Sequence, residues 1–192
     1  MANQDVINYA ISWAVGIAND DSHGYDQTNR WGPDYDCSSL VIQAFENAGC
    51  PVKSAGASYT GNMVSVFSNL GFIDVTSQVN FSNGSGLIAG DVLWVDGHTE
   101  IFIGNGQVCG ARINENGTTT GGQTGDQTGR EIRVGAYYNY PWTIVLRLPS
   151  NGSPDNPNPD VPTPGPLPDT KTKKKKKYPW LLMKRNINQR RY

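Results

Sequence analysis

Two residues in this chain can do chemistry together. Cys37 sits in the run Asp36-Cys37-Ser38-Ser39-Leu40-Val41, and His98 follows sixty-one residues later in Gly97-His98-Thr99-Glu100-Ile101-Phe102-Ile103-Gly104. A thiol attacks a carbonyl only as the thiolate, and a free cysteine is mostly protonated at neutral pH. The first turn of a helix favours an anion, because its N–H groups are unpaired and carry a partial positive charge. An imidazole can take the proton. Asp36 is a good N-cap residue, which places Cys37 in such a first turn. Only two histidines are present, and His23 lies in the loop before the motif, so His98 is the candidate base. Taken singly, each residue has a plainer reading. A lone cysteine at a helix start is usually a small buried hydrophobe, and a lone histidine after a strand usually makes a structural hydrogen bond. The pair becomes a site only if the fold brings the two together.

The elements that must do this are legible. Val6, Ile7, Ala10, Ile11, Ala14, Val15 and Ala18 recur at helical spacing over residues 4–18. Residues 19–36 are rich in Gly, Asp, Asn and Pro and read as an ordered loop, with Gly32-Pro33 marking a turn. A second helix starts at Cys37, carries Leu40, Val41, Ala44, Phe45 and Ala48, and stops at Gly49. A short third helix covers residues 61–70 and ends at Gly71. Strands follow at residues 72–75, 90–95, 100–103, 107–111, 131–134 and 144–148, with a long polar loop over 116–129. Helices first and strands afterwards predict an α+β domain, with the N-terminal helices packed on an antiparallel sheet.

Charge divides the chain. Residues 1–148 hold 6 Lys and Arg against 14 Asp and Glu, a net of −8; residues 149–192 hold 10 against 3, a net of +7. An acidic body makes a poor partner for nucleic acid, which needs clustered Lys and Arg. Cys37, Cys50 and Cys109 are odd in number and lack a CxxC spacing, so neither a disulfide framework nor a structural zinc site is expected. No metal or organic cofactor is needed for thiol chemistry. Cys50 and Cys109 read as structural.

The Asp-Cys-Ser-Ser-Leu-Val run, and Gly90-Asp91-Val92-Leu93-Trp94 followed by Gly-His-Thr-x-Ile-Phe-Ile-Gly-Asn-Gly, resemble the NlpC-type and CHAP-type cysteine peptidoglycan hydrolases, with phage lysins the nearest in kind. The resemblance covers residues about 5–148. It implies a papain-like NlpC/CHAP fold and cleavage of an amide bond in the cell-wall peptide. Cys37 is then the nucleophile and His98 the base and later the acid. The bond is either within the stem peptide (endopeptidase) or at N-acetylmuramoyl-L-alanine (amidase); the residues do not choose. It further implies a third polar residue that orients the imidazole. In many relatives that residue is a His a dozen positions on, but position 110 here is Gly. Asn114 and Glu115 are the favoured substitutes, with Asp126 another. Tyr25 corresponds to the tyrosine that borders the thiol and helps bind substrate; Trp31, Asp36 and Ser38 are assigned to the same substrate-facing surface. Asp36 also reads as a helix cap, and the Cys37 N–H as part of an oxyanion hole. Residues 137–142 (Tyr-Tyr-Asn-Tyr-Pro-Trp) read either as an aromatic wall facing substrate or as packing for the final strand.

Most of the prolines lie beyond residue 148, so 149–170 reads as an extended spacer. Residues 171–192 form a basic tail that includes Lys173–Lys177 and interleaves Tyr178, Trp180, Leu181, Leu182 and Met183. Such a tail suits an anionic wall polymer or a membrane surface. With no basic and apolar leader at the N-terminus, the expectation is synthesis in the host cytoplasm and action on the wall, after lysis or as part of a virion. Two rival readings stand beside the hydrolase. One is a catalytically inactive wall-binding or phage tail-assembly module of the same fold; the other keeps the thiol chemistry on a different substrate, as in a deamidating toxin.

Overall fold

The computed structural model describes residues 2–150. The expected basic tail and nearly all of the Pro-rich spacer lie outside the described residues. Three helices come first: α1 (Asn3–Ala18), α2 (Cys37–Asn47) and α3 (Thr60–Asn69). Six strands follow: β1 (Ile73–Asp74), β2 (Val92–Val95), β3 (His98–Gly104), β4 (Gln107–Ala111), β5 (Ile132–Ala136) and β6 (Ile144–Arg147). They form one sheet in the order β1-β6-β2-β3-β4-β5, and every neighbouring pair is antiparallel. The α+β expectation holds.

The helices form where the apolar spacing places them. α1 buries Val6, Ile7, Ala10, Ile11 and Ala14 on one face. In α2 nearly everything from Cys37 to Phe45 is buried, because this helix lies between α1 and strands β3 and β4. It is closed by Gly49, whose φ of 89° is the left-handed geometry of a helix C′ residue. Phe45 anchors its far end against Phe67 of α3 and Phe72, with ring centroids 5.8 and 5.1 Å away. Edge-to-face pairs of this kind each contribute roughly 0.5–1.5 kcal/mol beyond the buried area.

Alternation along the strands divides the sheet into two faces. Val92, Ile101, Ile103, Cys109, Ala111, Ile132 and Leu146 face the helices. Leu93, Phe102, Val108 and Val145 face the other way, onto Val75 and Trp142, with Phe81, Leu87, Tyr137, Tyr138 and Tyr140 packed around them. The 137–142 aromatics therefore cover the second core, with Trp142 itself buried.

Strand ends shift by one or two residues in β2, β5 and β6, and two further strands differ for clear reasons. β3 begins at His98, two residues earlier than expected. The β2–β3 hairpin pairs Val95 directly with His98 and turns through Asp96-Gly97 alone, with Gly97 at φ 84°. β1 shrinks to two residues because it pairs only with β6, at the sheet's edge.

The loop before α2 and the loop between β4 and β5 are tied together. Asp34 Oδ1 accepts from the N–H groups of both Gly24 and Gly125, at 2.8 and 2.9 Å. The Tyr25 N–H donates to Glu131 Oε2 at 2.9 Å, and the Gln27 N–H to the Thr119 carbonyl at 2.9 Å. A β-carbon at position 24 would lie 2.1 Å from the Gly125 carbonyl oxygen, so this crossing requires glycine.

Candidate active site

The thiol is positioned by a cap. Asp36 Oδ1 accepts from the Ser39 N–H at 2.7 Å and from Ser38 Oγ at 2.9 Å, while the Asp36 N–H donates to Ser39 Oγ at 2.9 Å. This is a capping box with serine in the usual Glu position. Arg30 Nη1 donates to the remaining Asp36 oxygen. Asp36 and Ser38 are both buried, and their polar atoms are engaged in this network. Ser38, expected on the substrate-facing surface, is thus a structural residue, and Asp36 is the cap.

Cys37 itself is 5% exposed. Its sulfur lies 3.8 Å from the Gly97 carbonyl oxygen, a weak S–H···O contact. The backbone N–H of Thr99 points at the same sulfur, as do those of Ser38 and Cys37 itself. The thiol therefore rests on the backbone immediately before and after His98. Burial, and then the Asp36 carboxylate, push the thiol up to about 12, and the three amides offset only part of this. At neutral pH the resting group is S–H, not a thiolate.

His98 is oriented from its own strand. His98 and Glu100 are two apart in β3 and share one face. His98 Nε2 lies 3.3 Å from Glu100 Oε1. Glu100 is fully buried, and the same oxygen accepts from Arg112 Nη2 at 2.8 Å and Tyr138 Oη at 3.2 Å. The Arg112 guanidinium also stacks over the Tyr138 ring at 4.4 Å. Trp142 lies nearly parallel to the imidazole with centroids 5.6 Å apart, and Tyr140 meets it edge-on at 5.3 Å. With Nε2 committed to a carboxylate, the proton belongs on Nε2 and the lone pair on Nδ1. Among the described residues, Nδ1 has no hydrogen-bond partner, so it is the nitrogen free to accept a proton.

The favoured orienters lie elsewhere. Asn114 uses its side chain to close its own turn, accepting from the N–H groups of Asn116 and Thr118 and donating to Thr118 Oγ1 and the Thr120 carbonyl. Glu115 accepts from the Gln123 N–H and from Asn116. Asp126 gathers the backbone N–H groups of Thr128, Gly129 and Glu131. None of the three touches His98. The missed residue is Glu100. Continuing the β3–β4 register one step past Ile101↔Cys109 sets Glu100 opposite Gly110. A β-carbon at 110 would lie 2.5 Å from Glu100 Cγ. Position 110, where the family resemblance led to the expectation of a histidine, is glycine, and the Glu100 carboxylate from the neighbouring strand fills the space. The available signal was a His-x-Glu alternation facing a glycine.

Tyr25 is buried beside the thiol. Its hydroxyl is pushed up to about 12, chiefly by burial and then by Cys37, and it accepts from Gln27 Nε2 at 3.1 Å. Trp31 is exposed and faces Lys53 and Arg30. Cys50 and Cys109 are buried and free, each raised chiefly by burial, and Cys109 also by the neighbouring Glu100 carboxylate.

A family model described as an endolysin-like domain matches residues 108–155, from β4 through β6 and a little beyond. Residues 108–155 are endolysin-like. This agrees with the phage-lysin resemblance carried by the Cys37 and His98 motifs, and it falls on strands that follow both. Among solved structures, the chain is similar to the peptidoglycan hydrolase RipB from Mycobacterium tuberculosis: 17% identity over 76% of this chain and 65% of that one, TM-score 0.44. It is also similar to a histidine variant of the resuscitation promoting factor interacting protein RipA: 23% identity over 76% of this chain and 62% of that one, TM-score 0.43. The chain thus spans less than two thirds of the length of either. No curated protein sequence matches it.

Proposed function

We propose that this endolysin-like chain is a peptidoglycan hydrolase that cuts an amide bond in the cell-wall peptide through a thioester on Cys37. The observation that carries this reading is the seating of the Cys37 sulfur on the two peptide groups that flank His98, while Glu100 holds Nε2 and leaves Nδ1 open. The resting thiol donates to the Gly97 carbonyl. Among the described residues Sγ and the imidazole are not in contact, and the ring packs on Trp142 and Tyr140. The first step therefore requires the His98 ring to turn toward Sγ; Nδ1 then takes the thiol proton and Sγ attacks the substrate carbonyl. The N–H groups at the start of α2 receive the developing oxyanion. Imidazolium, stabilised by Glu100, returns the proton to the leaving amine. Water then adds to the thioester with Nδ1 as base, releasing the acid and restoring the thiol.

Cys37→Ala is expected to abolish release of soluble fragments from purified cell walls, with far-UV circular dichroism and melting temperature unchanged. Full lysis by this variant refutes the reading. Mass analysis of the wild-type products then assigns endopeptidase or amidase. One observation favours the second reading, an inactive wall-binding module: the resting thiol is turned to a carbonyl and is harder to ionise than a free cysteine. Wall binding without any fragment release by the wild type is its signature.

A further inference from the structure

The acidic body holds 6 basic residues against 14 acidic ones, yet two of the six meet on a single exposed aromatic ring beside the candidate site. Trp31 is 37% exposed; Lys53 Nζ sits 4.0 Å from its ring centroid and Arg30 Cζ 5.2 Å away. Arg30 spends Nη1 on Asp36 and, at 3.5 Å, on Ser38 Oγ. Its other guanidinium nitrogens have no hydrogen-bond partner among the described residues. Lys53 gives one of its three hydrogens to Gln43 Oε1 at 2.8 Å and is in no salt bridge among the described residues. The nearby acid, Glu46, is held by the N–H groups of Lys53 and Ser54 and by the Ser54 hydroxyl, and the Lys53 charge adds to the pull that lowers its carboxyl. The patch therefore has cationic donors to spare and a flat apolar face, all within reach of solvent.

Its position relative to the thiol follows from α2. Arg30 is bound to the cap residue next to Cys37, and Lys53 is bound to Gln43, six residues along the same helix. At 1.5 Å per residue that separation is about 9 Å. An extended peptide advances about 3.3–3.6 Å per residue, so a peptide laid along α2 would cover that axial separation in two to three residues.

We propose that Trp31, Lys53 and the free edge of Arg30 form a subsite for a free carboxylate on the substrate peptide, two to three residues from the amide that is cut. This rests on the hydrolase reading and names the charge its substrate carries. A carboxylate bridges the ammonium and the guanidinium, and the adjoining aliphatic part of the peptide lies on the Trp31 face.

The test uses soluble cell-wall peptide fragments that differ in one group, carboxylate or carboxamide. Binding to full-length Cys37→Ala is measured by calorimetry, and turnover is measured with the full-length wild type. The expected result is about fivefold tighter binding of the carboxylate form, the scale of one partly exposed ion pair. That preference is lost in Cys37→Ala/Lys53→Met, whose affinity for the carboxamide form and melting temperature are unchanged. Equal affinity for the two forms, or a preference that survives Lys53→Met, overturns the subsite. If the wild type nevertheless cleaves both forms, the hydrolase reading stands without it. If the wild type cleaves neither fragment and releases nothing from intact walls, both fall together.

Discussion

Glu100 is a fully buried acid on the histidine's own strand, and in the proposed mechanism it sets which imidazole nitrogen acts. Glu100→Gln keeps the shape and removes the charge. It is expected to lower kcat on a soluble wall fragment by about 10–100-fold with KM nearly unchanged, the size of effect seen when a partner that orients a histidine is lost. An undiminished kcat would show that the carboxylate plays no part. The thiol makes a separate prediction. Its pKa is raised on folding, so its contribution to stability is fully present below the unfolded value near 9 and is lost as pH rises toward 12. Urea unfolding of wild type and Cys37→Ala at pH 7 and pH 10 isolates this group from Cys50 and Cys109. The wild type is expected to lose about 1 kcal/mol relative to the variant between the two pH values. No relative change would mean that the buried thiol ionises as freely as an exposed one.

At the scale of elements, the site depends on how closely β3 and β4 approach. Gly110→Ala places a methyl group against Glu100 Cγ. It is expected to cost roughly 1–3 kcal/mol in urea denaturation and to depress kcat, because the carboxylate is pushed off Nε2. An active variant of unchanged stability would mean that Glu100 has room to spare. Much of this architecture was readable in advance. The spacing of Val6, Ile7, Ala10, Ile11 and Ala14 gave α1, and Asp36 announced the cap that holds Cys37. Gly49 and Gly71 marked helix ends, where they adopt φ of 89° and 96°. The His98–Glu100 contact lies in the alternation within β3 itself, whereas the expectation placed the partner beyond the following strand. Asn114 misled for a physical reason: its amide is consumed by hydrogen bonds across a turn of a few residues, which composition does not reveal. Ser38 misled because a hydroxyl beside a nucleophile looks available until the cap closes over it.

For the whole molecule, the division of charge is the guide. The body through residue 148 carries −8 and the remainder +7. No helix among the described residues is long and apolar enough to cross a membrane. If the basic segment is the anchor, a chain ending at Ser150 should hydrolyse soluble fragments at the wild-type rate. It should bind intact walls more weakly, and its binding should lose its steep dependence on salt. Cosedimentation with purified walls at low and high ionic strength measures this, and identical salt curves for the two chains would leave the lysines without a role in attachment.

Placing imidazole and carboxylate two positions apart on one strand has a mechanical consequence. A relay split across neighbouring strands is only as firm as the ladder between them, and any slip or fraying of that ladder pulls donor from acceptor. Here the Cα spacing is fixed by covalent geometry, and only the groups that brace the carboxylate, Arg112 and Tyr138, come from beyond β4 and β5. Displacing those strands would loosen the brace before it parted His98 from Glu100.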